Sequence, residues 1–235
     1  MNASEIVDQL KSLGTEPYKK ILQNHGIPEP CFGVKIEELK KYQKRIRQDY
    51  QLALDLYDTG VYDAMYLAGL IADDKKMTQK DLQKWVAKAH CGMLWDYTVP
   101  WVAAQSNHGR TLSLEWIDSK KENVASAGWS TLGSLVSITH DSLLDMVELK
   151  GLLGRVQNTI HQQPNWVRCS MNHFVIALGC FVKELTDLAI LAGEKMGPVS
   201  VDMGKTACQV PFVPDYIKKV QKRGTIGKKR KSAKC

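Results

Sequence analysis

The stretch LWDYTVPWVA, residues 94–103, places a carboxylate among large aromatic side chains. Asp96 follows Trp95 directly, precedes a tyrosine, and has Trp101 about one helical turn further on. An acid with apolar neighbours can acquire a raised pKa, or can hold a cationic intermediate while it stays ionised. Asp96 could instead cap a helix N-terminus by accepting hydrogen bonds from the next backbone amides. These residues alone leave both roles open, a catalytic acid and a helix cap.

Aromatic residues near this acid are candidates for the walls of a binding cleft. The tryptophans in or beside segments rich in Gly, Ala and Ser are Trp95, Trp101, Trp129 and Trp166. The stretch PNWVRCSMNHF adds two polar candidates, Arg168 and His173. The alternative for the tryptophans is core packing, for His173 a partly buried histidine with a satisfied partner, and for Arg168 a surface charge.

Motifs for metal ions, nucleotides and covalent catalysis do not occur in the sequence. The six cysteines include no CxxC pair, and the histidines lack the paired spacing of metal ligands. The glycines form neither a GxxxxGK loop nor a GxGxxG fingerprint, and GWSTLG lacks the pattern of a nucleophilic serine elbow. We therefore predict no metal and no cofactor.

Positive charge is concentrated at the end of the chain. The net charge is +7, and residues 218–235 contain nine of the 32 basic residues and no acid, which leaves 23 basic against 25 acidic residues before them. Such a segment suits a polyanion, because each Lys or Arg placed against a phosphate releases a counterion. The candidate residues for binding a polyanion such as nucleic acid are Lys228, Lys229, Arg230 and Lys231. The alternative is a disordered tail that aids solubility.

Membrane insertion and export are not predicted. No window approaches the roughly 18 uninterrupted apolar residues of a membrane span. The first residues, MNASEIVDQLKSLG, have the pattern of an amphipathic helix and not of a signal peptide. We expect a soluble, cytoplasmic protein.

Helical periodicity extends through most of the chain. Apolar residues recur at helical spacing, as in IEELKKYQKRIRQDYQLALDLYD, short polar breaks separate the helices, and no comparable stretch alternates with period two. Thr78 is expected to cap one helix together with Asp81, and another helix is expected to start at Asp141.

An α-α superhelix of HEAT-like or ARM-like repeats is the predicted fold for residues 1–196. Three segments rich in small residues each follow a longer amphipathic helix, as the inner helices of repeated helix pairs do. A simple globular bundle is the alternative. Residues 197–214 are predicted to form an extended segment across the surface. Residues 215–235 are predicted to form a short helix followed by a basic, disordered tail.

The chain resembles the bacterial DNA alkylation repair glycosylases of the AlkD type, which are built of HEAT-like repeats. CFGVKIEELKKYQKRI is similar to that family's early helix entry, LWDYTVPWVA is similar to the segment that holds its catalytic aspartate, and the order of helices agrees over residues 20–195. The resemblance implies a C-shaped array with duplex DNA on its concave face. It also implies that Asp96 stabilises the sugar cation formed when an N-alkylated purine leaves.

Three positions depart from the pattern of that family. Gly92 stands where the family has a tryptophan, Gly128 falls at about the position of its arginine, and His173 falls near its second cleft tryptophan. Trp95, Trp129, Trp166, Arg168 and His173 are candidate replacements.

We predict a DNA alkylation repair protein that excises cationic N-alkylated purines from duplex DNA, with Asp96 as its catalytic residue. The alternative is a catalytically inactive HEAT-like scaffold that binds nucleic acid or protein.

Overall fold

The computed structural model describes residues 1–234, and Cys235 lies outside the described residues. In the described part the α-helices are α1 Ala3–Leu13, α2 Glu16–Asn24, α3 Ile36–Ile46, α4 Tyr50–Asp58, α5 Tyr62–Ile71, α6 Gln79–Lys88, α7 Val99–Gln105, α8 Gly109–Trp116, α9 Glu122–Ile138, α10 Met146–Thr159, α11 Asn165–Phe181, α12 Thr186–Met196 and α13 Val213–Lys222. No β-strand occurs in residues 1–234, so the predicted all-α class is confirmed.

Side-chain caps explain where several helices begin. The Thr78 hydroxyl accepts a hydrogen bond from the Asp81 amide, and the Asp81 carboxylate accepts one from the Thr78 amide, which confirms the predicted cap of α6. The expected start at Asp141 is wrong for the α-helix. Residues 141–143 form one 3-10 turn, and α10 begins at Met146 because the Asp145 carboxylate accepts hydrogen bonds from the first free amides.

Helices α5, α7, α9 and α11 follow one another through the molecule and pack side by side. The outer helices α4 and α12 pack against α5 and α11, respectively, and α6 and α8 each pack against both α7 and α9. The inner helices are strongly buried, and every residue of α5 is buried. Small residues permit the close approach of the layers, since a Cβ atom at Gly128 would lie 2.7 Å from the backbone nitrogen of Ile117.

Residues 197–212 contain no helix or strand and run along α11. The Asn165 side chain donates to the carbonyl of Asp202 and accepts from its amide, and Asn172 donates to the carbonyl of Pro211 at 3.0 Å. The segment then leads into α13, whose Ile217 is fully buried against Gly179 of α11.

Residues 225–234, which we call the strap, lie across the carboxyl ends of the inner helices. The amides of Gly227 and Arg230 donate to the carbonyls of Cys180 and Ser137, at the ends of α11 and α9. The Ser232 hydroxyl and the Ala233 amide donate to the side-chain Oε1 of Gln105, the last residue of α7. The expectation of a disordered tail is therefore wrong for these residues, because helix carbonyls that lack intrahelical partners receive their hydrogen bonds.

Lys234, the last described residue, joins the strap to the end of α5. The Lys234 ammonium group lies 2.8 Å from the Asp74 carboxylate and donates to the carbonyl of Ala72, the residue that ends α5. Both charged side chains are only 9% exposed. None of the helices in residues 1–234 has the length and apolar character needed to cross a membrane.

Candidate site on the inner helices

Asp96 lies in one turn of π-helix, Leu94–Thr98, that leads directly into α7. Its side chain caps neither helix. The interpretation of Asp96 as a helix cap is therefore wrong. Pro100 stands in the first turn of α7, where its missing N–H costs no intrahelical hydrogen bond. Single π-helical turns inside α-helices frequently occur at functional sites.

Two serine hydroxyls from neighbouring inner helices hold the Asp96 carboxylate. Ser130 on α9 donates to Oδ1 at 2.8 Å, and Ser170 on α11 donates to the same oxygen at 2.6 Å. Three successive inner elements therefore meet at one carboxylate. Sequence reasoning missed both serines, because it treated the small residues of these helices as packing residues only.

Burial raises the pKa of Asp96 to about 6, although the hydrogen bonds from Ser170 and Ser130 act in the opposite direction. The Glu122 carboxylate adds to the increase by like-charge repulsion, and no cation is among the groups that act on Asp96. At pH 7 the carboxylate is therefore mostly ionised. It is a partly buried negative charge that hydroxyl groups stabilise and that no cation within residues 1–234 neutralises.

A cavity of 520 Å³ opens beside Asp96. The aromatic side chains of Tyr97, Trp101, Trp129 and Phe174 contribute to its walls. Its far side is formed by α13 and the strap, with the basic residues Lys228 and Arg230 exposed there. The arrangement, which we call the Asp96 cavity, combines an anionic centre, aromatic walls and a cationic edge.

The four predicted tryptophans separate into two pairs. Trp101 and Trp129 line the Asp96 cavity, although Trp129 is fully buried and packs against Phe174 with ring centroids 5.2 Å apart. Trp95 and Trp166 do not line it. They pack edge to face at 6.4 Å, and both are partly buried.

The two polar candidates on α11, His173 and Arg168, lie in different places. His173 lines the Asp96 cavity, and desolvation by the surrounding protein lowers its pKa, which favours the neutral imidazole. Arg168 does not line the cavity. Its guanidinium donates to the Gln163 carbonyl and the Asn165 side chain near the start of α11.

The basic candidates of the strap have different partners. Lys228 and Arg230 lie at the Asp96 cavity, whereas Lys231 lies at a different groove. Lys229 forms an ion pair with Asp141 at 2.7 Å and donates to the carbonyl of Val136, so its ammonium group is already engaged by protein.

The two glycines that depart from the resembled family differ in their surroundings. A Cβ atom at Gly92 would lie 4.0 Å from the Asp96 carboxylate, so the tryptophan expected there is replaced by open space. Gly128 faces α8, where even a methyl group would clash with Ile117. No side chain at position 128 can reach the cavity in this packing, and Ser130 presents the side chain that reaches Asp96.

Comparisons with known proteins agree over nearly the whole chain. A family model described as "DNA alkylation repair enzyme" matches residues 6–201. The uncharacterized protein Lin0241 of Listeria innocua is 30% identical over 220 residues, which covers 92% of this chain and 95% of that protein. The uncharacterized protein Lmo0209 of Listeria monocytogenes is 29% identical with the same coverage.

A solved structure shares the complete fold. It has a TM-score of 0.92 and 34% sequence identity, and it covers 100% of both chains. It is described as "a new family of proteins related to the HEAT-like repeat DNA glycosylases with affinity for branched DNA structures". The predicted HEAT-like superhelix is thereby confirmed.

Proposed function

The chain belongs to the DNA alkylation repair enzyme family, and from this premise we propose that it is a repair protein that binds branched DNA. One observation carries the proposal, a run of exposed basic side chains on α13 and the strap, next to the Asp96 cavity. They are Lys218, Lys219, Lys222, Arg223, Lys228 and Arg230. Basic side chains placed against phosphates supply most of the affinity of a DNA-binding protein.

The position of the strap favours a branched over a straight DNA. The strap runs across the ends of α11, α9 and α7, so a straight duplex laid along the inner helices would meet it. At a branch point the arms diverge and can pass on either side of such an obstacle. The affinity for branched DNA stated for the solved relative supports the same choice.

Competition binding with a three-way junction and a linear duplex of equal length tests this proposal. We expect the junction to bind at least about ten-fold more tightly near 0.1 M salt, with a log–log salt slope of about −0.9 per phosphate contact. The variant Lys228→Gln/Arg230→Gln should reduce that slope by up to about 1.8. Equal affinity of the unmodified protein for junction and duplex would overturn the proposal.

Excision of cationic N-alkylated purines is the second candidate function, and the Asp96 site is the observation that favours it. An ionised carboxylate beside an aromatic cavity can stabilise a developing sugar cation. In such a step the bond from C1′ to the base nitrogen breaks, and its electron pair neutralises the base. Water then adds to C1′ and releases a proton.

An excision assay on DNA with 7-methylguanine or 3-methyladenine separates the two functions. If the chain is a glycosylase, Asp96→Asn should abolish excision, and activity should fall as pH decreases through about 6, because the carboxylate becomes protonated. A well-folded protein that excises nothing would leave DNA binding as the function. Equal excision by both proteins would exclude a catalytic role for Asp96. A protein partner and a cytoplasmic location remain predictions.

A further inference from the structure

A second groove, of 670 Å³, lies next to the Asp96 cavity. The ends of α3, α5, α7 and α9 contribute to it, together with the last strap residues, Lys231, Ser232 and Lys234. On α9 the Asp96 cavity reaches Ser137, and the second groove begins at Ile138. The strap therefore lies between the two depressions. We call the second one the strap groove.

Positive charge dominates the strap groove. Arg47, Lys75 and Lys231 line it and are exposed. None of the three forms an ion pair within residues 1–234, and Lys75 is 3.5 Å from the neutral side chain of Asn107. Asp74 is the one acidic residue among the described lining residues, and Lys234 neutralises it at 2.8 Å. The three exposed cations are thus uncompensated inside the groove.

Arg47 occupies an unusual backbone conformation. Its φ of +65° makes it the one residue other than glycine with a positive φ in the described chain. Arginine adopts this region at a cost in free energy, and such residues occur frequently at functional sites. The exposed side chain of Gln48 adds a neutral amide donor to the groove beside it. Guanidinium, ammonium and amide donors are among the groups that contact DNA phosphates.

We propose that the strap groove binds the phosphate backbone of a second DNA arm, with the strap separating this arm from the DNA at the Asp96 cavity. The inference rests on the proposed binding of branched DNA and adds the site that distinguishes a junction from a linear duplex. A linear duplex occupies one side of the strap, whereas a junction reaches cations on both sides.

The test compares two variants that remove the same charge. One is Arg47→Gln/Lys75→Gln/Lys231→Gln, and its matched control is Lys80→Gln/Lys120→Gln/Lys121→Gln. The control lysines are exposed, form no ion pair in the described chain and line neither depression. All six side chains are on the surface, so both proteins should fold normally, which circular dichroism and thermal unfolding will verify.

The groove variant should bind the three-way junction at least about ten-fold more weakly, with its salt slope reduced by up to about 2.7, because three phosphate contacts are lost. Its affinity for the linear duplex should change by less than about two-fold. The control variant should change both affinities by similar, small factors that reflect only the lower overall charge.

Failure of the proposed function and failure of the strap-groove proposal give different results. If the unmodified protein binds junction and duplex equally, the proposed function itself is wrong. If it prefers the junction and the groove variant keeps that preference, or loses no more than the control, the strap groove is not the second-arm site.

Discussion

The Asp96 cavity and the strap groove are neighbours with opposite chemistry. In the cavity, one carboxylate is held by two serine hydroxyls among aromatic side chains, and burial raises its pKa to about 6. In the strap groove, the one acidic side chain is neutralised by Lys234, and exposed cations remain. The cavity is suited to hold a small cationic group, and the groove is suited to hold a polyanion.

The two regions also keep their buried charges in different ways. Among the described residues, the hydrogen-bond partners of Asp96 are hydroxyl groups, so its ionised form has a desolvation cost that these hydrogen bonds partly offset. Asp74 has a cationic partner, although burial still raises its pKa above the usual range. Removing the charge of Asp96 should therefore stabilise the protein. Removing the charge of Lys234, which leaves Asp74 without its cation, should destabilise it.

The largest expected effect comes from Lys234→Met. It leaves Asp74 buried without its cation, and we expect the free energy of unfolding to fall by about 3 kcal/mol. Urea unfolding at pH 7.5 measures this change. The double variant Asp74→Asn/Lys234→Met should recover more than half of the loss, and Lys231→Met on the exposed part of the strap should lose less than about 0.5 kcal/mol. A double variant as unstable as the single one would contradict the assigned charge effect.

Asp96→Asn should have a smaller effect of opposite sign. The folded-state pKa of Asp96 is raised to about 6, above its unfolded value of about 4, so the folded state loses stability as pH rises between these values. The variant lacks this penalty and should be more stable by about 2 kcal/mol at pH 7.5. Urea unfolding at pH 4 and pH 7.5 should show the difference only at the higher pH. An equal or lower stability of the variant at pH 7.5 would exclude the desolvation cost.

Ser170→Ala should produce the smallest effect. It removes one hydrogen bond to the ionised carboxylate, and the pKa of Asp96 should rise by about one further unit. Carbon-13 NMR of the aspartate carboxyl groups follows this titration. Ser134→Ala is the control, because Ser134 lines the same cavity and makes no hydrogen bond to Asp96. A pKa unchanged by Ser170→Ala, or shifted equally by Ser134→Ala, would remove Ser170 from the site.

Sequence reasoning could predict the features whose signal is local. Helical spacing indicated the array, a Thr and an Asp three residues apart indicated the cap of α6, and an acid among aromatic residues indicated Asp96. These patterns lie within one or two helical turns. The three segments rich in small residues indicated the repeat architecture, and the family resemblance implied the same architecture.

Features built from distant residues were beyond that reasoning. Ser130 and Ser170 stand 34 and 74 positions from Asp96, and small residues in buried helices are equally typical of close packing. The strap has the composition of a disordered tail, and only Ala233 within it is fully buried. Its order depends on backbone carbonyls at the ends of α5, α9 and α11 and on the side chain of Gln105 on α7, which no local pattern in residues 225–234 reveals.

The bond between Lys234 and the end of α5 joins residues 162 positions apart. In an array where each repeat contacts only its neighbours, terminal repeats can fray independently, and unfolding can spread from one end. The strap couples α5, α7, α9 and α11 directly, so partial unfolding of any one of them breaks contacts with the others. Contacts between residues so far apart in the sequence should slow folding and make unfolding a single cooperative transition.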